Sequence, residues 1–191
     1  YFVKTQGTGD RSVNKDLGFT RAHHVMLSYG FKISDNMNMK IEPYFQQLYD
    51  VPVIADSSYS VLNRRDFYVE NVLVNRGKGR NIGVDITLER YLNKGLYYMM
   101  TASIFDSKYY GGDRKWRNTL YNRNFIVNVL GGKEWMVGRD KQNMFSVNFK
   151  ITLQGGDRYA PVDEVATLLD PDREVQYDET KAFSKQFSPM F

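Results

Sequence analysis

Few residues in this chain have the types and spacing that chemistry requires. His23 and His24 are the only histidines and are adjacent. In a strand they point to opposite faces, so strand geometry does not let them share one metal. Asp85 and Glu89 fall on one strand face, but four residues apart they stand about 13 Å from each other, too far for a paired acid and base. "GKGR" at 77–80 has neither the spacing nor the following helix of a phosphate loop. No Ser/His/Asp set has a supporting context, and the chain has no cysteine, which removes disulfides, thiol nucleophiles and cysteine metal sites. The expectation is a protein that is not an enzyme and needs no metal or cofactor.

The remaining candidates are charges. Arg64, Arg65, Arg76, Lys78 and Arg80 flank one polar stretch, and Arg114, Lys115 and Arg117 occupy another. Such cations can focus an anionic ligand into a mouth. They can equally pair with the phosphates of a lipopolysaccharide leaflet, or simply solvate loops. Trp116, Tyr121 and Tyr159 are candidate aromatic contacts or loop anchors. Overall the chain is only mildly basic, at net +4 over 191 residues, too weak a bias to argue for nucleic acid.

The elements that must position these residues are strands. In "MFSVNFKITLQ", Phe145, Val147, Phe149, Ile151 and Leu153 alternate with Ser146, Asn148, Lys150, Thr152 and Gln154. That is one apolar and one polar face. The same alternation recurs over 25–33, 39–49, 82–91, 96–105 and 124–132, blurred in the last by Ile126 and Leu130. The pattern predicts six strands of about 10–14 residues with no amphipathic helix between them. Pro43 predicts a bulge or break in the second strand.

Strand length and connection length narrow the class. Ordinary strands run about five or six residues, whereas tilted membrane strands need about 9–11. Short turns at 34–38, 93–95 and 138–143 alternate with long polar loops at 51–79, 111–122 and 155 to the end. Up-and-down strands therefore put every short turn at one end and every long loop at the other, as in outer-membrane barrels. No stretch reaches the roughly 18–20 apolar residues of a spanning helix. The expected fold is all-β: an antiparallel up-and-down transmembrane barrel segment, apolar face to lipid. Its polar face, with Asp85, Thr87, Glu89, Asn148, Lys150, Thr152 and Gln154, lines a lumen. Tyr29, Tyr44, Tyr49, Tyr91, Tyr97, Tyr98, Tyr109 and Tyr110 are expected in interfacial girdles. A soluble β-sandwich or lipocalin-like barrel is the alternative.

Three segments carry a resemblance. "RAHHVMLSYGFKISDNMNMKIEPYFQQLYDVPV" (21–53), residues 79–138, which include "TASIFDSKYYGGDRKWRNTLYNRN", and "NMFSVNFKITLQGGDRYAPVD" (143–163) resemble the barrel of TonB-dependent outer-membrane receptors. The Bacteroidetes type, with a carboxypeptidase-regulatory-like domain before the plug, is the nearest likeness. It implies a barrel of about 22 strands around a plug, importing a scarce ligand with energy from the TonB complex. Six strands fall short of the roughly eight that close a barrel. Residues 1–191 are therefore expected to be a partial barrel domain, a later segment with plug and further strands absent. The stretch "AFSKQFSPMF" resembles a loop leading into another strand. The implied partners are the TonB complex through the plug, outer-membrane lipid and lipopolysaccharide, and an unknown ligand; nucleic acid is not among them. A barrel of a non-transport kind is a further alternative.

Overall fold

The computed structural model describes residues 14–64, 71–172 and 174–191. Their fold is all-β and antiparallel. The main sheet contains β1 (Arg21–Met26), β2 (Tyr29–Ser34), β3 (Met37–Val53), β4 (Val74–Asn93), β5 (Leu96–Tyr110), β6 (Trp116–Asn118), β7 (Phe125–Val137) and β8 (Asn143–Gln154). The path is β1-β3-β4-β5-β7-β8, with β2 also on β3 and β6 also on β5. The sheet is open, with β1/β2 and β8 on its two edges, so these strands alone do not form a closed barrel.

The alternation in sequence becomes rows across the sheet. Lys40, Thr87, Thr101, Asn128 and Thr152 are successive cross-strand partners and make one polar row. Met39, Leu88, Met100, Val129 and Ile151 make an apolar row on the other face. Ile126 and Leu130 fall on the polar face, which explains why they blur the pattern of their strand. A register slip of one residue would exchange the faces of a whole strand, so the segregation fixes the pairing.

Pro43 acts on its neighbour rather than on its own strand. β3 runs unbroken through it, and the lapse lies opposite, at Leu27–Ser28 between β1 and β2. Met26↔Tyr44 and Tyr29↔Ile41 keep one register across the gap. Leu27 N–H donates to the Pro43 carbonyl at 3.1 Å, and proline has no N–H to return. The expected break is present, displaced to the partner strand.

All three short turns lie at one end of the sheet. Lys94 and Gly95 both have positive φ, 51° and 74°, the form that suits a two-residue hairpin. A side chain at Gly95 would meet the Glu134 carbonyl at 2.3 Å.

The other end holds the interior. Val51, Val53, Leu73, Tyr109 and Ala182 are buried there, while Ile104, Val147 and Ile151 in the body of the sheet are half or more exposed. The first long connection is shorter than expected, since β3 extends to Val53 and β4 starts at Val74. The last segment contains β9 (Arg158–Tyr159) paired with β10 (Lys185–Gln186) and a short helix, α1 (Glu164–Leu169). Asp163 caps α1, its Oδ1 accepting from Ala166 N–H at 3.0 Å. The alternation does not predict α1; an Asp followed by Glu164 and a helix-forming "VATLL" is the local signal for it.

Candidate functional site

Two surfaces concentrate side chains able to bind something, one on each face of the sheet near its loop end.

On the polar face, His24, Gln46, Asn81 and Ser107 form a row across four strands, and Met26, Tyr44, Gly83 and Phe105 form the next. Together with Asp85 and Tyr121 these side chains line a shallow depression of about 470 Å³. Its floor is a chain of hydrogen bonds: Asn81 Nδ2 donates to Gln46 Oε1 at 2.7 Å, and Ser107 Oγ donates to Asn81 Oδ1 at 2.6 Å. Thr119 Oγ1 continues it by donating to Ser107 Oγ at 2.9 Å. Tyr44 lies across β4, and only glycine fits beneath it: a Cβ at Gly83 would be 2.7 Å from the Tyr44 hydroxyl. The same pairing recurs where Tyr97 crosses Gly132 and donates to Asn148 Oδ1 at 2.8 Å. Amide side chains offer both donors and acceptors, and the aromatic walls offer faces, so the depression suits an uncharged polar group. Its one carboxylate, Asp85, is engaged by Ser103 Oγ at 2.5 Å.

The residues expected on a polar lining do share this face. Besides Asp85 and Asn148, Thr87 and Glu89 stand beside Lys40 and Asn38, and Lys150 opposite Leu130. Thr152 donates to Asn128 Oδ1 at 2.9 Å, and Gln154 Oε1 accepts from Arg123 at 2.5 Å. Gln46 falls on the polar side of the strand expected at 39–49, whereas Asn81 and Ser107 escape the sequence reading because the strands expected at 82–91 and 96–105 stop one and two residues short of them. His23 and His24 point to opposite faces, against Tyr49 and Tyr44 respectively.

The basic candidates do not gather at one mouth. Arg76, Lys78 and Arg80 belong to β4, not to a loop. They alternate there with the buried Gly77 and Gly79, which lie under Val53, Leu48 and Leu62. Lys78 and Arg80 therefore project to the apolar face, while Arg76 is exposed at the register shift between Gly77 and Asn75. Arg65 lies outside the described residues. Arg64 ends a short 3-10 turn (Val61–Asn63), and its carbonyl accepts from the Tyr121 hydroxyl at 3.2 Å. Arg114 occupies a left-handed position, φ 63°, beside the exposed Lys115.

Arg117 is a structural ion rather than a ligand contact. It is 9% exposed and forks onto Asp113, with Nη1 to Oδ1 at 2.9 Å and Nη2 to Oδ2 at 2.5 Å, while also reaching the Thr180 carbonyl. The guanidinium holds the Asp113 carboxyl below the ordinary carboxylate range, chiefly through these hydrogen bonds. Tyr159 stacks on Phe187 at 4.4 Å and anchors the terminal segment. Trp116 stands on the apolar face, beside Tyr110.

The tyrosines divide the same way. Tyr49, Tyr98 and Tyr110 combine an end position with the apolar face. Tyr29 and Tyr44 sit in mid-sheet, Tyr44 and Tyr97 cover glycines on the polar face, Tyr91 accepts from Asn38 Nδ2 at 3.3 Å, and Tyr109 is fully buried against Phe183, which corrects the girdle expected of all eight.

No family model, no curated protein and no solved structure matches the chain. Among the described residues no helix is long and apolar enough to cross a membrane, and no three His, Asp or Glu side chains cluster as a metal site would require.

Proposed function

We propose that the chain is a stretch of the wall of an outer-membrane β-barrel, its apolar face toward lipid and its polar face toward a lumen. One observation carries this reading. The apolar rows lie partly to largely exposed along strands of 12 to 20 residues, and nothing among the described residues packs over them. Burying one large apolar side chain is worth about 1.5–3 kcal/mol, so a face of this kind calls for an apolar neighbour. Lipid supplies that neighbour along the whole length of a tilted strand, whereas a backbone edge exposed to lipid does not persist. Each edge of this sheet then pairs with further strands of a closed barrel. Gln154 and Met190 exchange two backbone hydrogen bonds of 2.9 Å, which supports a strand leaving the C-terminal segment along β8.

More particularly, the wall is that of a TonB-dependent receptor of the Bacteroidetes type, on the strength of the three resembling segments. In that receptor the loops capture a scarce ligand, the polar face holds a plug that the TonB complex pulls, and this segment makes or breaks no bond.

Fractionation of the intact protein tests the wall. It is expected to stay with the outer membrane through alkaline washing and to need detergent for release; a monomer that remains in solution without detergent overturns it in favour of a soluble ligand-binding β-domain. A plug encoded in the same reading frame is the expectation for the receptor. A frame without one leaves the wall standing and makes the protein a barrel of a non-transport kind.

A further inference from the structure

The apolar face changes chemistry at its loop end. Lys78, Tyr110 and Trp116 are cross-strand partners in one row, and Arg80 stands in the next, opposite Lys108. Lys78 Nζ lies 5.8 Å from the centre of the Tyr110 ring, and the Arg80 guanidinium 5.5 Å from that of Trp116. The two rings are themselves 5.5 Å apart. Lys108 is engaged by Asp106 at 3.3 Å, but among the described residues neither Lys78 nor Arg80 enters an ion pair. Two cations thus rest on aromatic faces with their remaining donors unspent. One row further, about 7 Å along the strand, Ile82, 49% exposed, stands opposite Asp106, whose carboxylate is taken up by Lys108 and Asn122 Nδ2, and the row after it, Val84 with Ile104, 62% exposed, is apolar.

This placement separates two roles that the sequence leaves open. A cation that draws a soluble anion into a lumen must stand on the polar face, and these stand on the other. We infer that Lys78, Arg80, Tyr110 and Trp116 form a docking site for the phosphate of an anionic lipid, whose acyl chains run past Ile82 onto the row of Val84 and Ile104. The inference rests on the membrane-wall reading. Arginine offers a planar fork that matches phosphate oxygens, and lysine adds a compact charge. Indole and phenol rings settle where apolar chains meet polar headgroups. Stacking against the rings restrains both cations, so less side-chain freedom is lost when the phosphate binds.

The test uses the intact protein purified in detergent and its Lys78→Gln/Arg80→Gln variant, with lipids retained on the protein counted by native mass spectrometry. Phosphatidic acid, zwitterionic phosphatidylcholine, a sulfate-headed anionic lipid and inorganic phosphate are offered separately. The wild type is expected to hold phosphatidic acid at least about tenfold more tightly than the variant, as loss of two charge-assisted contacts implies. Phosphatidylcholine should be held equally by both. Binding of inorganic phosphate as strong as that of phosphatidic acid would make this a soluble-anion site and overturn the inference. So would a sulfate-headed lipid bound as well as phosphatidic acid, or equal retention of phosphatidic acid by wild type and variant. A protein that needs no detergent would instead sink the membrane-wall reading itself. Arg80→Lys, which keeps the charge without the fork, should fall between wild type and the double variant. Unchanged sheet circular dichroism in both variants shows that folding was not the cause.

Discussion

The body of the sheet and the cap of loops at its end are stabilised by opposite means. In the sheet, backbone ladders and cross-strand rows fix the geometry, yet most side chains stay partly exposed and among the described residues nothing packs on the apolar face. In the cap, Val51, Val53 and Tyr109 are fully buried, and an ion pair, Arg117–Asp113, joins the second loop to the terminal segment through Thr180. Arg123 and Asp157 add a second tie at 2.7 Å. The cap buries its own surface. The sheet leaves apolar side chains such as Ile104 and Ile151 exposed. The irregular connections thus hold the buried residues of this molecule and the regular strands its exposed apolar surface, which on the proposed reading meets lipid.

The largest effect that could break this contrast comes from the cap. Arg117→Ala leaves Asp113 without its partner in a nearly closed site and should cost about 3 kcal/mol of local stability. Amide exchange should accelerate over 111–124 and 178–184 while the centre of β4 and β5 keeps its protection. Equal acceleration in both would show one cooperative unit and dissolve the distinction. Next in size is the environment of the sheet. In a lipid-based unfolding assay Phe149→Arg, on the apolar face in mid-strand, should cost about 2–4 kcal/mol. Asn148→Arg, on the polar face, should cost only about 1 kcal/mol, the hydrogen bond that Tyr97 donates to it. Similar losses for the two would remove the case for lipid on one side.

Within the polar face, Gly83→Ala should cost about 1–3 kcal/mol by overpacking, because its Cβ meets the Tyr44 hydroxyl at 2.7 Å and the Ile104 carbonyl at 2.8 Å. Combining it with Tyr44→Ala should recover part of that loss if the ring is the obstacle; strictly additive losses would say that it is not. Acid should then loosen the cap before the sheet. Lys181, and after it Thr180, hold the Asp178 carboxyl at about 2, against an ordinary 3.8, by hydrogen bonding. Arg117 lowers Asp113 in the same sense. A carboxyl lowered on folding stabilises the folded form above its ordinary pKa, and that contribution disappears as pH falls from about 4 toward about 2. Proteolysis by pepsin over that range should cut within 155–184 first, and initial cutting in β4 or β5 would contradict the order. The smallest perturbation tests orientation. Single cysteines replacing the exposed Lys115 and Leu168 should react with an impermeant maleimide in intact cells, and those replacing Asp35 and Asp140 should not. The reverse pattern would turn the proposed wall upside down.

Much of the sheet is written locally. Alternation determines which side chains of β8 share a face, because successive residues of a strand leave it on opposite sides whatever surrounds them. "NKG" determines its turn, since Lys94 and Gly95 must both adopt positive φ and glycine does so at little cost. Other features arise from contacts distant in sequence. β4 continues through Gly77 and Gly79, which read as loop residues, because Val53 and Leu62 need the space that absent side chains leave. That extension carries Lys78 and Arg80 to the apolar face, a placement no local pattern reveals. The break at Leu27–Ser28 comes from Pro43, which lies across the ladder from it. Arg117 looks in sequence like one more loop cation; it becomes a buried tie only when Asp113 and Thr180 fold around it. The sequence by itself determined the centres of the long strands, their faces and the three short turns, since backbone geometry at each residue suffices for these. Only the tertiary structure decided where the interior lies and which charges stay available, because burial and pairing depend on segments that meet after the chain has folded.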